Sequence, residues 1–381
     1  MGVKEFKEYL SRLGYQHSNV KLQHGSRLLI DAMQWLICHH HTAVMPMLEN
    51  VKTRKNNSES AISQLEAKLK LTQGMENLQH DEMFFPNGNL KPEAFKVPAK
   101  QDLWIIIREK IIESISKCLV DIIAAGVIPI LVWDPPIIGK PRTAGKKTSL
   151  VNPLVLRNVD KTYIYAALKY AGFPSVVSWT EGEKCACAAV LNGSGDAVLS
   201  TDTDCIIFGT PLVADSIRIV SGISVSLYPA HKYSEIKKCI EEASKTDFEH
   251  LRLIDAAVFL GCDFCPRLKL NGPATLAKHT YNNTPPYISK ALNSTDLNYV
   301  EQVKVAINFF SITHDDRKAA TFLINVALSE AWSPSTDILE SMGILNLMNK
   351  FFHIIRRGSE LKPNLESSIN ETSVESGVYT Y

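Results

Sequence analysis

Short apolar runs alternate with stretches of helical periodicity through much of the chain. The clearest run is Val127–Trp133, which is followed directly by Asp134. Leu28–Ile30 leads into Asp31 in the same way, and Ser175–Trp179 and Ala197–Thr201 are further apolar runs. Continuous apolar strands that alternate with helices are typical of a mostly parallel sheet covered on both faces. The pattern therefore predicts an α/β fold.

Two further segments extend this picture. Apolar residues keep a helical period from about 102 to 125, and Gly126 ends the pattern, which predicts a long helix packed on the sheet. The runs 217–220 and 224–228 look like a pair of later strands and are compatible with a hairpin. By contrast, residues 48–100 are polar and predict an insertion, and the Ser-, Glu- and Asn-rich residues 358–381 predict a disordered tail.

Seven carboxylates lie at predicted strand ends and turns: Asp31, Asp134, Glu181, Glu183, Asp202, Asp204 and Asp263. The carboxyl ends of parallel strands share one edge of a sheet, so the first six can converge there. Clustered acids repel one another unless cations lie between them. This favours divalent metal ions and phosphodiester chemistry. The alternative for any single acid is a turn or a helix cap.

The net charge, the cysteines and the N-terminal residues indicate what kind of protein this is. The 381 residues include 41 Lys and Arg and 40 Asp and Glu, so the net charge is +1 and any nucleic-acid binding must use a local basic patch. Most of the eight cysteines lie in apolar runs, as expected for free thiols in a reducing compartment. The charged start has no apolar core, which argues against a secretion signal. We therefore expect a soluble intracellular protein without a membrane segment.

Six motif blocks resemble the flap endonuclease / XPG / 5′-exonuclease family of structure-specific 5′ nucleases, and they occur in the family's order. The blocks are Met1–Phe6, Leu29–Leu36, Ile128–Asp134, Glu181–Ala186, Ser200–Gly209 and Leu260–Pro266. The resemblance implies a PIN-like 5′-nuclease core with a mostly parallel central sheet flanked by helices. It also implies a helix–two-turn–helix element and a helical C-terminal region.

The same resemblance implies a Mg²⁺-dependent hydrolase. The seven acids would hold two Mg²⁺ ions, for which Mn²⁺ could substitute, and Gly2 would lie near the active site. Trp35 would stack on a base, with a place in the core as the equal alternative. The substrate would be DNA with 5′ flaps, ends or junctions, in replication, repair or recombination. A nuclear, monomeric protein is the corresponding expectation.

The resemblance divides the chain into regions. The nuclease core would comprise 1–47 and 101–255, with a short arch at 135–165 and a DNA-binding helix–two-turn–helix at 256–330. In that element Gly272 would contact phosphate, and the family holds K⁺ at this turn. Here, however, Arg267, Leu270 and Asn271 replace family residues, and Leu270 does not easily adopt a left-handed conformation, which argues against the K⁺ site.

The arch carries the remaining candidates. Lys140 and Arg142 are the candidate catalytic cations, and Lys146 and Lys147 are candidates for nucleic-acid binding. The alternative is a solvated basic loop.

The C-terminal segment 331–357 is predicted to be helical. Within it, Leu345–Phe352 resembles a sliding-clamp-binding box, with Leu345 in place of the usual Gln; the alternative is a core helix. Two other functions remain open: an RNA-directed nuclease of the same fold, and a non-catalytic nucleic-acid-binding scaffold. The short arch and the near-zero net charge are compatible with the RNA-directed nuclease. The presence of all seven acids argues against the scaffold.

Overall fold

The structure is a computed structural model. It describes residues 3, 5–40, 103–135, 158–220, 223–244, 251–267, 272–281 and 287–361. The described strands form a single seven-stranded sheet in the order β1-β7-β6-β5-β2-β3-β4. They are β1 (Ser18–Lys21), β2 (Arg27–Asp31), β3 (Ile128–Trp133), β4 (Ser175–Val177), β5 (Ala197–Leu199), β6 (Leu212–Val220) and β7 (Ser224–Lys232).

Most of the sheet is parallel, as the apolar runs predict. β6, β5, β2, β3 and β4 pair in parallel, whereas β7 pairs antiparallel with both β6 and β1. Every residue of β3 is buried, because helices cover both faces of this strand. The predicted hairpin is confirmed, since Val220 pairs with Ser224, but its strands are longer than the sequence indicated.

Helices precede, connect and follow the strands. Those of the first part are α1 (Phe6–Arg12), α2 (32–40), α3 (Leu103–Ala124), α4 (Asn158–Tyr170), α5 (Gly182–Leu191), α6 (Asp204–Ile207) and α7 (Tyr233–Ser244). Then come α8 (Leu251–Leu260), α9 (Pro273–Tyr281), α10 (Tyr287–Leu292), α11 (Leu297–Phe310), α12 (His314–Glu330), α13 (Thr336–Ser341), α14 (Leu345–Asn349), α15 (Phe352–Arg357) and a 3₁₀ turn at Gly358–Glu360.

Two apolar layers hold these helices on the sheet. Side chains alternate along β2, so that Leu29 joins one layer while Leu28 and Ile30 join the other. The first layer contains α1, α5 to α8 and the buried face of α11, and the second contains α3, α4 and the helices after residue 336. The fold is the predicted mostly parallel sheet flanked by helices, with a helical C-terminal region.

Two predicted boundaries need correction. The predicted arch reached residue 165, but residues 158–165 belong to α4, where Asp160 and Ile164 are fully buried. The ordered chain also continues past 357 to Leu361, because Gly358 packs against the Trp332 ring. The other domain boundaries stay predictions. The insertion 48–100 and the tail beyond Leu361 lie outside the described residues.

The clamp-box interpretation of Leu345–Phe352 is wrong for this structure, and the core-helix alternative is confirmed. Met348, Phe351 and Phe352 are all buried in the apolar layer that α3 shares. The Ser116 hydroxyl of α3 lies 3.8 Å from the Met348 sulfur. Side chains that anchor the domain in this way are not available to a partner protein.

Candidate metal centre

The ends of β2 and β3 place the first two acids side by side. The strands pair in parallel with Asp31 opposite Val132, and Asp134 follows one residue after the end of β3. The Asp134 Oδ1 accepts a hydrogen bond of 2.7 Å from the backbone N–H of Gly182. This bond joins the end of β3 to the first turn of α5, which carries Glu183. A Cβ at position 182 would lie 3.0 Å from the Val132 carbonyl oxygen, so glycine permits this close approach.

Glu183, Asp202 and Asp204 form the tightest group. One carboxylate oxygen from each lies within 4.8 Å of the others. Glu183 and Asp204 are buried, at 9 % and 4 % exposure. Carboxylate oxygens at such spacing are the ligands that Mg²⁺ and Mn²⁺ prefer. The donor set therefore fits a divalent cation.

Backbone and hydroxyl groups orient these acids, and they were not identified from the sequence. The Ser200 Oγ lies 3.0 Å from the Asp31 Oδ2 and 2.8 Å from the Gln34 Oε1, so its single proton can serve either acceptor. The same Oγ accepts a hydrogen bond of 3.1 Å from the Asp202 N–H. The only signal in the sequence was the position of Ser200 directly before the Asp202 motif.

The start of the described chain also contacts the cluster. The Val3 backbone N–H donates to the Asp204 Oδ1 at 3.1 Å, and the Thr203 hydroxyl donates to the Val3 carbonyl at 3.2 Å. These two bonds hold the N-terminal segment against the loop that carries Asp204. Gly2, the residue that the resemblance placed near the site, lies outside the described residues.

The acids influence one another strongly. Burial raises the pKa of Asp31 to about 6, and the charges of Asp134 and Asp202 add to this effect. Burial also raises the pKa of Glu183 well above its usual value, with further contributions from Asp202, Asp204 and Asp31. The pKa of Asp204 rises for the same reasons, burial first and then Asp202 among its neighbours. Among the described residues, no Lys, Arg or His forms an ion pair with Asp31, Glu183 or Asp204.

Asp263 and Glu181 lie at the border of the cluster. Both add negative charge at Asp204, and Asp263 itself is exposed. Asp263 follows α8 in a short turn, where the Cys262 and Cys265 sulfurs lie 3.5 Å apart as free thiols. The structure thus brings all seven predicted acids into one electrostatically connected region, while their roles as ligands stay predictions.

The remaining candidates have different outcomes. Trp35 is half-buried, packs on the core and meets the His39 ring at 4.9 Å, which is compatible with both of its predicted roles. Gly272 directly precedes α9, and Arg267 approaches it. Four arch residues lie outside the described residues: Lys140, Arg142, Lys146 and Lys147.

Comparison with known proteins shows which of them this chain resembles. Residues 172–263, which carry Glu181, Glu183, Asp202, Asp204 and Asp263, match the family model of the XPG I-region. The crystal structure of human GEN1 in complex with Holliday junction DNA aligns with a TM-score of 0.50 and 12 % identity, covering 93 % of this chain and 77 % of that one. This likeness shows that the two chains share a fold.

Curated relatives share part of the sequence. Flap endonuclease 1 of Methanobrevibacter smithii is 29 % identical over 137 residues, which cover 36 % of this chain and 38 % of the relative. Flap endonuclease 1 of Methanocella arvoryzae is 31 % identical over 153 residues, covering 39 % and 44 %. The match thus spans about two fifths of each relative's length. Part of the chain is thus similar to flap endonuclease 1 and to the XPG I-region.

Membrane insertion has no support in the described helices. None of them combines the length and the apolar character needed to cross a bilayer.

Proposed function

We propose that this protein is a divalent-metal-dependent nuclease that hydrolyses DNA phosphodiesters at 5′ flaps, ends or junctions. The observation that carries the proposal is the close grouping of Glu183, Asp202 and Asp204 at the sheet edge where Asp31 and Asp134 also emerge. The partial sequence similarity to flap endonuclease 1 and the match to the XPG I-region support the same reaction. Nuclear localisation, action as a monomer and a role in replication or repair stay predictions.

The acids and the groups that orient them would have different roles. Glu183, Asp202 and Asp204 would hold one divalent ion, and Asp31 and Asp134 would face a second. Ions bound there would stabilise charge on the phosphate and lower the pKa of a water molecule. Ser200 and Gln34 would fix the orientation of Asp31, and the Val3 N–H would fix one oxygen of Asp204. Because these groups are held before substrate arrives, little reorganisation is needed during the reaction.

Mg²⁺ is the expected ion, with Mn²⁺ as a substitute. Mg²⁺ takes oxygen ligands in near-ideal octahedral geometry and keeps several waters, which suits a cluster that supplies a few carboxylates to each ion. The buried position of Glu183 and Asp204 supports this choice, since their repulsion is relieved by a cation between them.

One experiment tests the proposal against both alternatives. The wild-type protein and Asp202→Asn are incubated with Mg²⁺ and either 5′-flap DNA, single-stranded RNA of matched sequence, or blunt duplex DNA. We expect wild type to cleave the flap and Asp202→Asn to be inactive. Cleavage of RNA alone would contradict the proposal and identify an RNA-directed nuclease. Binding of the flap without cleavage of any substrate would identify a non-catalytic scaffold.

A further inference from the structure

Three acid-bearing segments meet the same aromatic ring. Phe309, near the end of α11, has its ring centroid 4.3 Å from that of Phe264, the residue after Asp263. Its centroid is 5.3 Å from that of Phe208, which directly follows the short helix α6 that begins with Asp204. The Lys184 Nζ, on the residue after Glu183, lies 5.8 Å from the same centroid, within reach of a cation–π contact.

The ring is held by a rigid element. The next residue, Phe310, is fully buried and its ring lies 5.2 Å from that of Phe309 and 5.7 Å from that of Phe208. Ala306 and Val303, on the preceding turns of α11, are also fully buried. α11 therefore holds the half-buried Phe309 ring in a fixed place beside the acid-bearing segments.

A second contact of Lys184 joins α5 to α12. The Lys184 Nζ lies 3.8 Å from the Asp316 Oδ2, and only 12 % of the Lys184 side chain is exposed. Asp316 belongs to the capping box that opens α12, where it accepts from the Thr313 N–H at 2.9 Å. Lys184 is thus fixed between the Phe309 ring and the start of α12, both of which lie beyond the matched I-region.

We propose that Phe309 is a positioning residue that sets the relative placement of Glu183, Asp204 and Asp263. Each acid is on a different segment, and the chain links these segments only through long connections. Their side-chain neighbours share one ring, so a shift of that ring changes the spacing of the acids. Magnesium tolerates little deviation from octahedral geometry, and its affinity is sensitive to such shifts. This inference rests on the proposed metal site.

The test measures metal binding directly, because that readout does not need catalysis. Mn²⁺ titrations followed by electron paramagnetic resonance are carried out on the full chain. The variants are Phe309→Leu, Phe309→Tyr and the control Phe173→Leu. Phe173 is 1 % exposed and lies in the other apolar layer, away from the acids. Thermal unfolding of each variant in EDTA provides the structural reference.

We expect Phe309→Leu to weaken Mn²⁺ binding about tenfold, the scale for groups that orient metal ligands. Phe309→Tyr keeps the ring and should stay within about twofold of wild type. Phe173→Leu should lower thermal stability and leave Mn²⁺ affinity unchanged. An unchanged Mn²⁺ affinity in folded Phe309→Leu would overturn the proposal, as would an equal loss in Phe173→Leu.

A second variant covers the case in which Phe309→Leu does not fold. Phe264→Leu removes the ring that contacts Phe309 beside Asp263 and should weaken Mn²⁺ binding in the same direction. Unaltered Mn²⁺ affinity in Phe264→Leu would then count against the proposal. If the wild-type protein binds Mn²⁺ but cleaves no substrate, the nuclease proposal is refuted. The proposed role of Phe309 in metal binding can still be tested in that case.

Discussion

Carboxylates in two regions of this molecule have opposite pKa shifts. At the carboxyl end of the parallel strands, burial and neighbouring acids raise the pKa of Asp31 to about 6. On β6, burial also favours a higher pKa for Asp215, but His231 and Lys7 outweigh it and lower the pKa. The His231 Nε2 lies 3.7 Å from the Asp215 Oδ1, and Lys7 forms an ion pair with the other oxygen.

The difference shows what each cluster requires. Asp215 obtains its counter-charges from side chains of α1 and β7, so its carboxylate is stable in the folded protein by itself. Asp31, Glu183 and Asp204 have no such side chain among the described residues, and their charge is compensated best by an added cation. Mutual repulsion among Asp31, Glu183 and Asp204 therefore favours a bound cation, whereas Asp215 forms a structural ion pair.

The largest expected effect comes from removing one charge from the metal region. Asp204→Asn should lower cleavage of a 5′ flap about a thousandfold, since a lost metal contact costs about 4 kcal/mol in the transition state. The Asn Oδ1 can still accept from the Val3 N–H, so the fold should persist. In EDTA the melting temperature should equal or exceed that of wild type, as circular dichroism would record. A variant that unfolds would instead assign Asp204 a structural role.

Addition of metal should stabilise one region and leave the other unaffected. At a Mg²⁺ concentration of 100 times the dissociation constant, the free energy of unfolding should rise by about 2.7 kcal/mol. Denaturant titrations with and without Mg²⁺ measure this increase. Asp215→Asn should show the same increase as wild type, and Asp204→Asn should show much less. An equal increase in both variants would mean that the ion binds elsewhere.

The pH dependence of metal-free protein should differ in sign between the regions. Because folding raises the pKa of Asp31 from about 3.9 to about 6, the folded state binds its proton more tightly. That stabilisation is complete below about pH 4 and is lost as pH rises through about 6, a change of about 3 kcal/mol. Asp31→Asn should remove this loss in urea titrations between pH 4 and 7.

For Asp215 the lowered pKa gives the reverse dependence. Its contribution is present above its ordinary pKa near 4 and is lost as pH falls towards the folded-state value. Comparing wild type with Asp215→Asn at pH 3 and pH 6 separates the two signs. A difference between the proteins that grows towards acidic pH would contradict the assignment.

The smallest effect is expected from Asp215→Asn at neutral pH. This partly exposed ion pair should contribute about 1 kcal/mol, so the variant should be slightly less stable. The sign is opposite to that of Asp204→Asn in EDTA, although both changes replace Asp by Asn. Flap cleavage at saturating Mg²⁺ should be unchanged, because Asp215 is not part of the acid cluster.

Sequence alone predicted the parts that depend on local pattern. The all-apolar β3 followed by Asp134 identified a buried parallel strand and an acid at its end. β1 was missed because Ser18–Lys21 is short and alternates between half-buried and exposed residues, and its pairing with β7 supplies the missing stabilisation. The full length of β6 was missed for a related reason, since its first part is buried and only the second alternates.

The groups that support the acids were beyond sequence reasoning. Ser200 reaches Asp31, and Val3 reaches Asp204, across separations of 169 and 201 residues. A Ser or a backbone N–H has no distinctive pattern, and its role depends on tertiary pairing of distant segments. The position of Phe309 could not be predicted from the sequence either. Its segment has the pattern of an ordinary amphipathic helix, and its contacts with Lys184 and Phe264 depend on the tertiary fold.

The central place of β2 has a kinetic consequence. This early strand lies between β3 and β5, which come from much later parts of the chain. Such long-range parallel pairing forms slowly, because the entropy of closing a long loop is lost before the stabilising contacts form. Asp31 therefore joins Asp202 only after that closure. We expect Mg²⁺ to slow unfolding while leaving the refolding rate nearly unchanged, because the ion binds only after the sheet has formed.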